Sequence, residues 1–229
     1  MAYLITQFGV AALVAMAIAI FYAMSINDPH QVALKVQVAA IIPSTLAAEL
    51  ACAFVIFRMT KRSFPGSWRT GAFQPLGWAS APSRYMSASA ALGLALALAY
   101  VILVSHVPPR LNQLGPLAQA AALPGFSRLG WSLLAVALAP PVEEFLFRGV
   151  LFQGLARSWG VGWSAAVVTI LFVAVHLPEV VHYWPAIAAV GLVALATILV
   201  RLSTGSLAPA VAIHVAYNLG LVFVVYRAA

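Results

Sequence analysis

The chain has 229 residues, of which 64% are hydrophobic and only 7% are charged. A soluble domain carries roughly a quarter of charged residues, so this composition excludes a soluble globular fold and makes lipid the solvent for most of the chain. The formal net charge is +7, but the basic residues are scattered between apolar runs, which excludes a nucleic-acid-binding face with clustered basic and aromatic side chains.

Seven apolar segments follow one another along the chain, and each suits a membrane-spanning helix of about 20 residues. In lipid the backbone must satisfy its own hydrogen bonds, and long runs without alternation favour helices over a closed barrel. The predicted spans cover residues 3–24, 34–57, 86–105, 129–154, 161–181, 184–202 and 207–226. We therefore expect an all-α fold, a polytopic transmembrane helix bundle with about seven spans.

The connection after the second span holds the densest group of positive charges: Arg58, Lys61, Arg62, Arg69 and Arg84. Because Lys and Arg favour cytoplasmic loops, we expect the N-terminus in the cytoplasm and the loop 106–125 outside. The chain shows no recognisable eukaryotic targeting signal, and we expect a multi-pass protein of a bacterial or archaeal cell membrane. Membrane lipid is then its constant partner, nucleic acid is not a partner, and the oligomeric state is left open.

The polar residues are distributed unevenly along the chain. Residues 1–128 supply three spans and a loop that we interpret as scaffold, whereas residues 129–229 hold nearly all the unusual polar side chains. We treat the two parts as one structural domain. Ionisable groups inside a bilayer are costly and point to function, so we look for chemistry in the second part.

Two adjacent carboxylates lie deep in the fourth span, directly after Pro140 and Pro141. Glu144 and Arg148 are four residues apart and share a helix face, so they can form an ion pair. Glu143 points about 100° away and is left free of that pair. The two prolines are expected to break the helix and open the segment to water.

Further polar groups occur on other spans. His176 lies late in the fifth span, and His214 and Asn218 lie four residues apart on one face of the seventh. A single membrane histidine or asparagine more often serves helix packing than catalysis. Glu49 is alone in the second span, and we interpret it as structural. Glu179 is interpreted as a solvated residue at the outer rim.

The combination of these residues, in this order, resembles the CPBP family of CAAX proteases and bacteriocin-processing enzymes, also called the CAAX prenyl protease 2 or ABI family. The family pattern is EExxxR, then FxxxH, then HxxxN or HxxxD. The matching positions are Glu143, Glu144 and Arg148, then Phe172 and His176, then His214 and Asn218. The resemblance covers about residues 129–226.

The resemblance implies an intramembrane endopeptidase with a catalytic cavity within the membrane. By resemblance, Glu143 is the general base that activates a water with the help of His176, and His214 and Asn218 hold the oxyanion. The remaining motif positions resemble supporting residues: Glu144, Arg148 and Phe172. These implied roles agree with the chemistry of peptide hydrolysis, which needs a base and donors aimed at the developing oxyanion.

The cofactor is left open between two alternatives. Two histidines and one glutamate suit zinc, and if a metal is present its ligands are Glu143, His176 and His214. The HExxH spacing of many soluble zinc proteases is absent, so we prefer a water held directly by Glu143 and His176, with no cofactor required.

The expected substrate is a peptide or a lipidated protein, with prenylated CAAX sequences or other membrane-associated peptides as candidates. Two alternative functions do not involve peptide cleavage. One is a non-catalytic immunity or binding protein. The other is a proton-coupled transporter, since intramembrane Glu and His also form proton relays. Paired broken helices that mark many carriers are not evident in the sequence.

Overall fold

A computed structural model describes residues 2–26, 28–70, 76–122 and 125–227. Over these ranges the chain is almost entirely helical and has no strand, which confirms the predicted all-α class. The helices, in chain order, are α1 Ala2–Ser25, α2 Pro29–Ser63, α3 Pro65–Thr70, α4 Ser83–His106, α5 Pro116–Ala122, α6 Phe126–Leu133, α7 Ala139–Glu144, α8 Phe152–Val180, α9 Trp184–Thr204 and α10 Ala208–Arg227.

All seven predicted spans fall on helices. Within the described ranges, five helices are long and apolar enough to cross a membrane, and Gly9–Ser25 is a shorter apolar helix. One of the five runs from Phe126 to Val180 and contains two predicted spans. The run is interrupted at Gly160, where φ is 74° and ψ is 168°, a backbone conformation that glycine adopts without steric cost.

The loop predicted between the third and fourth spans contains secondary structure of its own. A 3₁₀ turn covers Leu111–Gln113, and α5 follows from Pro116. Proline at the first helical position is pre-set for a helix, and the alanines after it have the highest helix propensity. This segment packs against α2, α6 and α8, so it lies over the bundle rather than away from it.

α10 lies at the centre of the second half of the chain. It packs along α4 and α9 and also contacts α7, while α8 packs on the other side of α9. The approach of α4 is close, because a Cβ added at Gly93 would collide with the carbonyl oxygen of Ile213. Small residues allow such close packing in lipid, and here they fix the helix that carries His214 and Asn218.

Two buried clusters hold these helices in register. One joins the segment around Phe147 to α8 and α9, through Phe172 and Ile198. The other joins α4, α9 and α10, through Val193 and Tyr217. The motif-bearing helices α7, α8 and α10 are therefore fixed relative to one another by side chains that lie next to the polar motifs.

Candidate active site

Two π-helical turns flank the helix that carries the adjacent carboxylates. Leu134–Leu138 precedes α7, and Phe145–Leu151 follows it. The expectation that Pro140 and Pro141 break the helix is wrong, because the chain continues through them as helix with the prolines in the first turn of α7. The widened turns absorb the missing N–H groups, and such turns occur often at functional sites.

The first π-helical turn explains the position of Asn218. The N–H of Ala139 bonds to the carbonyl of Leu134, so it is not available to the carbonyl of Ala135. The next residue, Pro140, has no N–H. Asn218 donates from Nδ2 to the Ala135 oxygen at 2.7 Å, which satisfies the carbonyl and holds the amide against the start of the motif helix.

Glu144 and Arg148 form a fully buried ion pair, as the spacing of four residues predicts. Arg148 Nε lies 3.3 Å from Glu144 Oε2, and both side chains have no exposed surface. Arg148 also donates from Nη2 to the carbonyl oxygen of Ala194 at 2.9 Å. Its guanidinium carbon lies 4.3 Å from the ring centre of Phe172. The pair ties the segment after α7 to α8 and α9.

The same carboxylate orients His214. Glu144 Oε1 lies 3.0 Å from His214 Nδ1, and a carboxylate that neutralises an arginine can only accept a hydrogen bond. Nδ1 therefore carries a hydrogen, and Nε2 is the atom that faces the cavity. The resemblance implies a supporting role for Glu144, but the contact with His214 is not predictable from the sequence motifs.

His176 is oriented by the backbone of its own helix. Its Nδ1 lies 2.7 Å from the carbonyl oxygen of Phe172, and a carbonyl oxygen only accepts, so Nδ1 carries the hydrogen here as well. The ring stacks on Phe172 with centres 4.5 Å apart. Its Nε2 is thereby directed toward the carboxylate of Glu143.

Glu143 lies between the two imidazoles. Its Oε2 is 3.7 Å from His176 Nε2 and 3.9 Å from His214 Nε2. Both distances exceed a direct hydrogen bond, and this buried oxygen has no hydrogen-bond partner among the described residues. Three polar atoms therefore converge at separations that leave room for a small polar group between them.

The four predicted site residues line one cavity of about 320 Å³. Glu143, His176, His214 and Asn218 come from α7, α8 and α10, so segments that are distant in sequence are brought together. Most of the remaining lining residues are apolar or aromatic, and they come from several helices and from the segment 113–118. The cavity lies among helices of membrane-spanning length and composition.

The cavity also contains two further acids. Glu49, which we interpret as structural or interfacial, is almost fully buried on α2 and lines the cavity. Glu179 is partly buried and lines the cavity, so its interpretation as a solvated rim residue is wrong. Glu179 is three residues after His176, and this spacing could have placed it beside the site, because residues three apart share a helix face. For Glu49, the high free-energy cost of a lone acid in lipid could have indicated a place in the polar cavity.

The metal alternative requires Glu143, His176 and His214 as ligands. The described residues contain no group of three His, Cys, Asp or Glu side chains already placed to hold an ion. Tetrahedral ligands at about 2.0–2.2 Å from zinc lie roughly 3.3–3.6 Å apart, a few tenths of an ångström less than the 3.7 Å and 3.9 Å that separate Glu143 Oε2 from the imidazole nitrogens. We therefore derive no chemical step through a metal.

The fold and the site together define an integral, multi-pass membrane protein with a buried polar cavity at the meeting point of its helices. Residues 125–220 match the family model described as Rce1-like, type II CAAX prenyl endopeptidase Rce1-like. The matched segment carries all three motifs and is similar to that family of proteases, which confirms the resemblance seen in the sequence. A comparison with curated proteins found no match, and a comparison with solved structures found none either.

Proposed function

We propose that the chain is an intramembrane endopeptidase that hydrolyses a peptide bond with a water activated by Glu143 and His176. The observation that carries this proposal is the convergence of two imidazole nitrogens on one carboxylate oxygen inside the cavity. A water bridges two acceptors at about 2.8 Å from each. A separation of 3.7 Å between Glu143 Oε2 and His176 Nε2 suits such a bridge.

The hydrogen positions support this division of roles. Neutral His176 has its hydrogen on Nδ1 and an acceptor at Nε2, so a bridging water donates one hydrogen to Nε2 and the other to Glu143. The lone pair of the water oxygen is then directed away from both groups. As the water attacks the scissile carbonyl carbon, its proton passes to Glu143, which acts as the general base.

The oxyanion that forms needs donors, and we propose that His214 and Asn218 supply them. The Nδ2 atom of Asn218 carries two hydrogens, of which one is used by Ala135 and the other is available. His214 donates from Nε2 when the ring is doubly protonated, and the Glu144 carboxylate at Nδ1 offsets the added positive charge. Removing one such donor costs about 10²–10³ in kcat in other hydrolases.

The step balances without a covalent intermediate. A C–O bond forms to the water oxygen, the tetrahedral intermediate collapses, and the C–N bond breaks. The proton held by Glu143 passes to the leaving nitrogen, so the products are a carboxylic acid and an amine, which ionise to a carboxylate and an ammonium group. Glu143 returns to its starting form, as a general base must.

Cleavage by purified protein tests the proposal. Detergent-solubilised wild type would be given a panel of membrane-associated peptides that includes prenylated CAAX peptides. We expect cleavage by wild type and its loss in Glu143→Ala and His176→Ala. Asp28→Ala and His106→Ala are matched controls outside the cavity and should cleave like wild type.

Two further results decide between this proposal and its alternatives. Cleavage that survives both active-site changes, or solute uptake into liposomes in place of any cleavage, contradicts the protease. Turnover should persist after dialysis against a chelator. Activity that is lost on chelation and restored by zinc contradicts the metal-free mechanism while leaving the protease in place.

A further inference from the structure

Acidic residues are concentrated around the cavity of a strongly basic chain. The chain has 12 Lys and Arg but only 5 Asp and Glu. Three of the five acids line the cavity, namely Glu49, Glu143 and Glu179. A fourth, Glu144, is paired with Arg148 behind the wall. Among the described residues that line the cavity there is no Lys or Arg.

Glu179 is held at the wall by the segment that lies over the bundle. The N–H of Leu117 donates to Glu179 Oε2 at 3.1 Å, and both residues line the cavity. A carboxylate has about four acceptor positions, so this bond leaves acceptor capacity on both oxygens. Glu179 is therefore fixed in place while it can still bind another donor.

The distance between Glu179 and the reacting atoms follows from the geometry of α8. Glu179 is three residues after His176 on α8, which corresponds to about 4.5 Å along the axis on the same face. An extended peptide advances about 3.3 Å per residue. A substrate that runs along α8, with its scissile carbonyl beside His176, therefore presents a neighbouring side chain, one or two residues away, to Glu179.

The base itself adds to the negative character of the wall. Glu143 is nine-tenths buried, and its Oε2 has no hydrogen-bond partner among the described residues while it is directed into the cavity. Charges act more strongly in such a partly desolvated space than in water. A cationic substrate group is attracted there, whereas an acidic side chain or a free carboxylate is repelled.

Building on the proposed protease function, we propose that the cavity selects peptides with a Lys or Arg side chain one or two residues from the scissile bond, and that Glu179 is the residue that binds it. Glu179 then determines specificity without taking part in the chemistry. Glu143 strengthens the preference through its charge rather than through direct contact.

A set of matched peptides tests this inference. One cleaved sequence would carry Lys, norleucine or Glu at each position within two residues of the scissile bond, with kcat/KM measured for each. A charged hydrogen bond is worth about 1.5–3 kcal/mol, so at one position we expect Lys to exceed norleucine by about tenfold or more, and Glu to be the poorest.

Glu179→Gln is the informative variant, because its amide oxygen can still accept from the Leu117 N–H. It should remove most of the preference for Lys, so that kcat/KM falls much more for the Lys peptide than for the norleucine peptide. Asp28→Asn removes a carboxylate outside the cavity and should keep the preference.

The outcomes separate this inference from the function on which it rests. Cleavage of all three peptides at equal rates by wild type overturns the charge preference and leaves the protease intact. An equal fall in kcat/KM for all three peptides in Glu179→Gln overturns the role of Glu179 as a specificity residue. If that variant does not fold, the scan with wild type still decides the charge preference. Failure to cleave any peptide overturns the proposed function itself.

Discussion

The buried ion pair between Glu144 and Arg148 makes Glu144→Gln the most informative change for stability. The glutamine keeps the shape and removes the charge, so Arg148 is left as an uncompensated cation with no exposed surface. Removing one partner of a buried pair typically costs about 3–5 kcal/mol. The amide oxygen can still accept from His214 Nδ1, so the imidazole should keep its orientation. Turnover per folded molecule should therefore be largely retained, while the free energy of unfolding falls.

A double-mutant cycle measures this effect directly. Unfolding in detergent would be followed for wild type, Glu144→Gln, Arg148→Met and the double variant. Each single variant should lose several kcal/mol, whereas the double variant should recover much of the loss because neither charge remains in the interior. Normal unfolding of Glu144→Gln together with abolished turnover would refute the assignment of Glu144 as a structural support.

Three other changes test separate parts of the site. Glu143→Gln should lower turnover by about 10³-fold with stability equal to or above wild type, measured by cleavage and thermal unfolding; a drop in both would argue against a role confined to chemistry. Asn218→Ala should lower kcat by about 10²–10³-fold, with KM changed far less, and an unaltered kcat would exclude it from the oxyanion site. Gly93→Ala should destabilise the protein by about 1–3 kcal/mol because its methyl group meets a neighbouring backbone, whereas Gly191→Ala, which has open space around it, should have little effect in the same assay.

Much of the fold and part of the site could be predicted from the sequence, because lipid imposes simple rules. Backbone groups must pair within the segment, so apolar runs predicted helices over all seven spans. The spacing of four between Glu144 and Arg148 was enough to predict an ion pair that the structure shows. Local spacing also placed His214 and Asn218 on one face of α10.

Other features depend on packing between distant segments. The π-helical turn before α7 arises where prolines follow one another in a helix that tertiary contacts hold together, and Asn218 is the partner that completes it. No spacing within the chain predicts that Leu117 donates to Glu179 across 62 residues. The place of Glu49 in the cavity likewise depends on how α2 packs beside α7, which its position in the sequence does not predict.

The origin of the new carboxylate oxygen tests the central claim most directly. A single turnover of wild type in water enriched in oxygen-18 would be followed by mass spectrometry of the peptide product and of the protein. Direct attack by an activated water predicts one labelled oxygen at the new C-terminus of the peptide and none in Glu143. An unlabelled first product, with the label in the Glu143 carboxylate, would show that the glutamate attacks the substrate itself and would contradict the account.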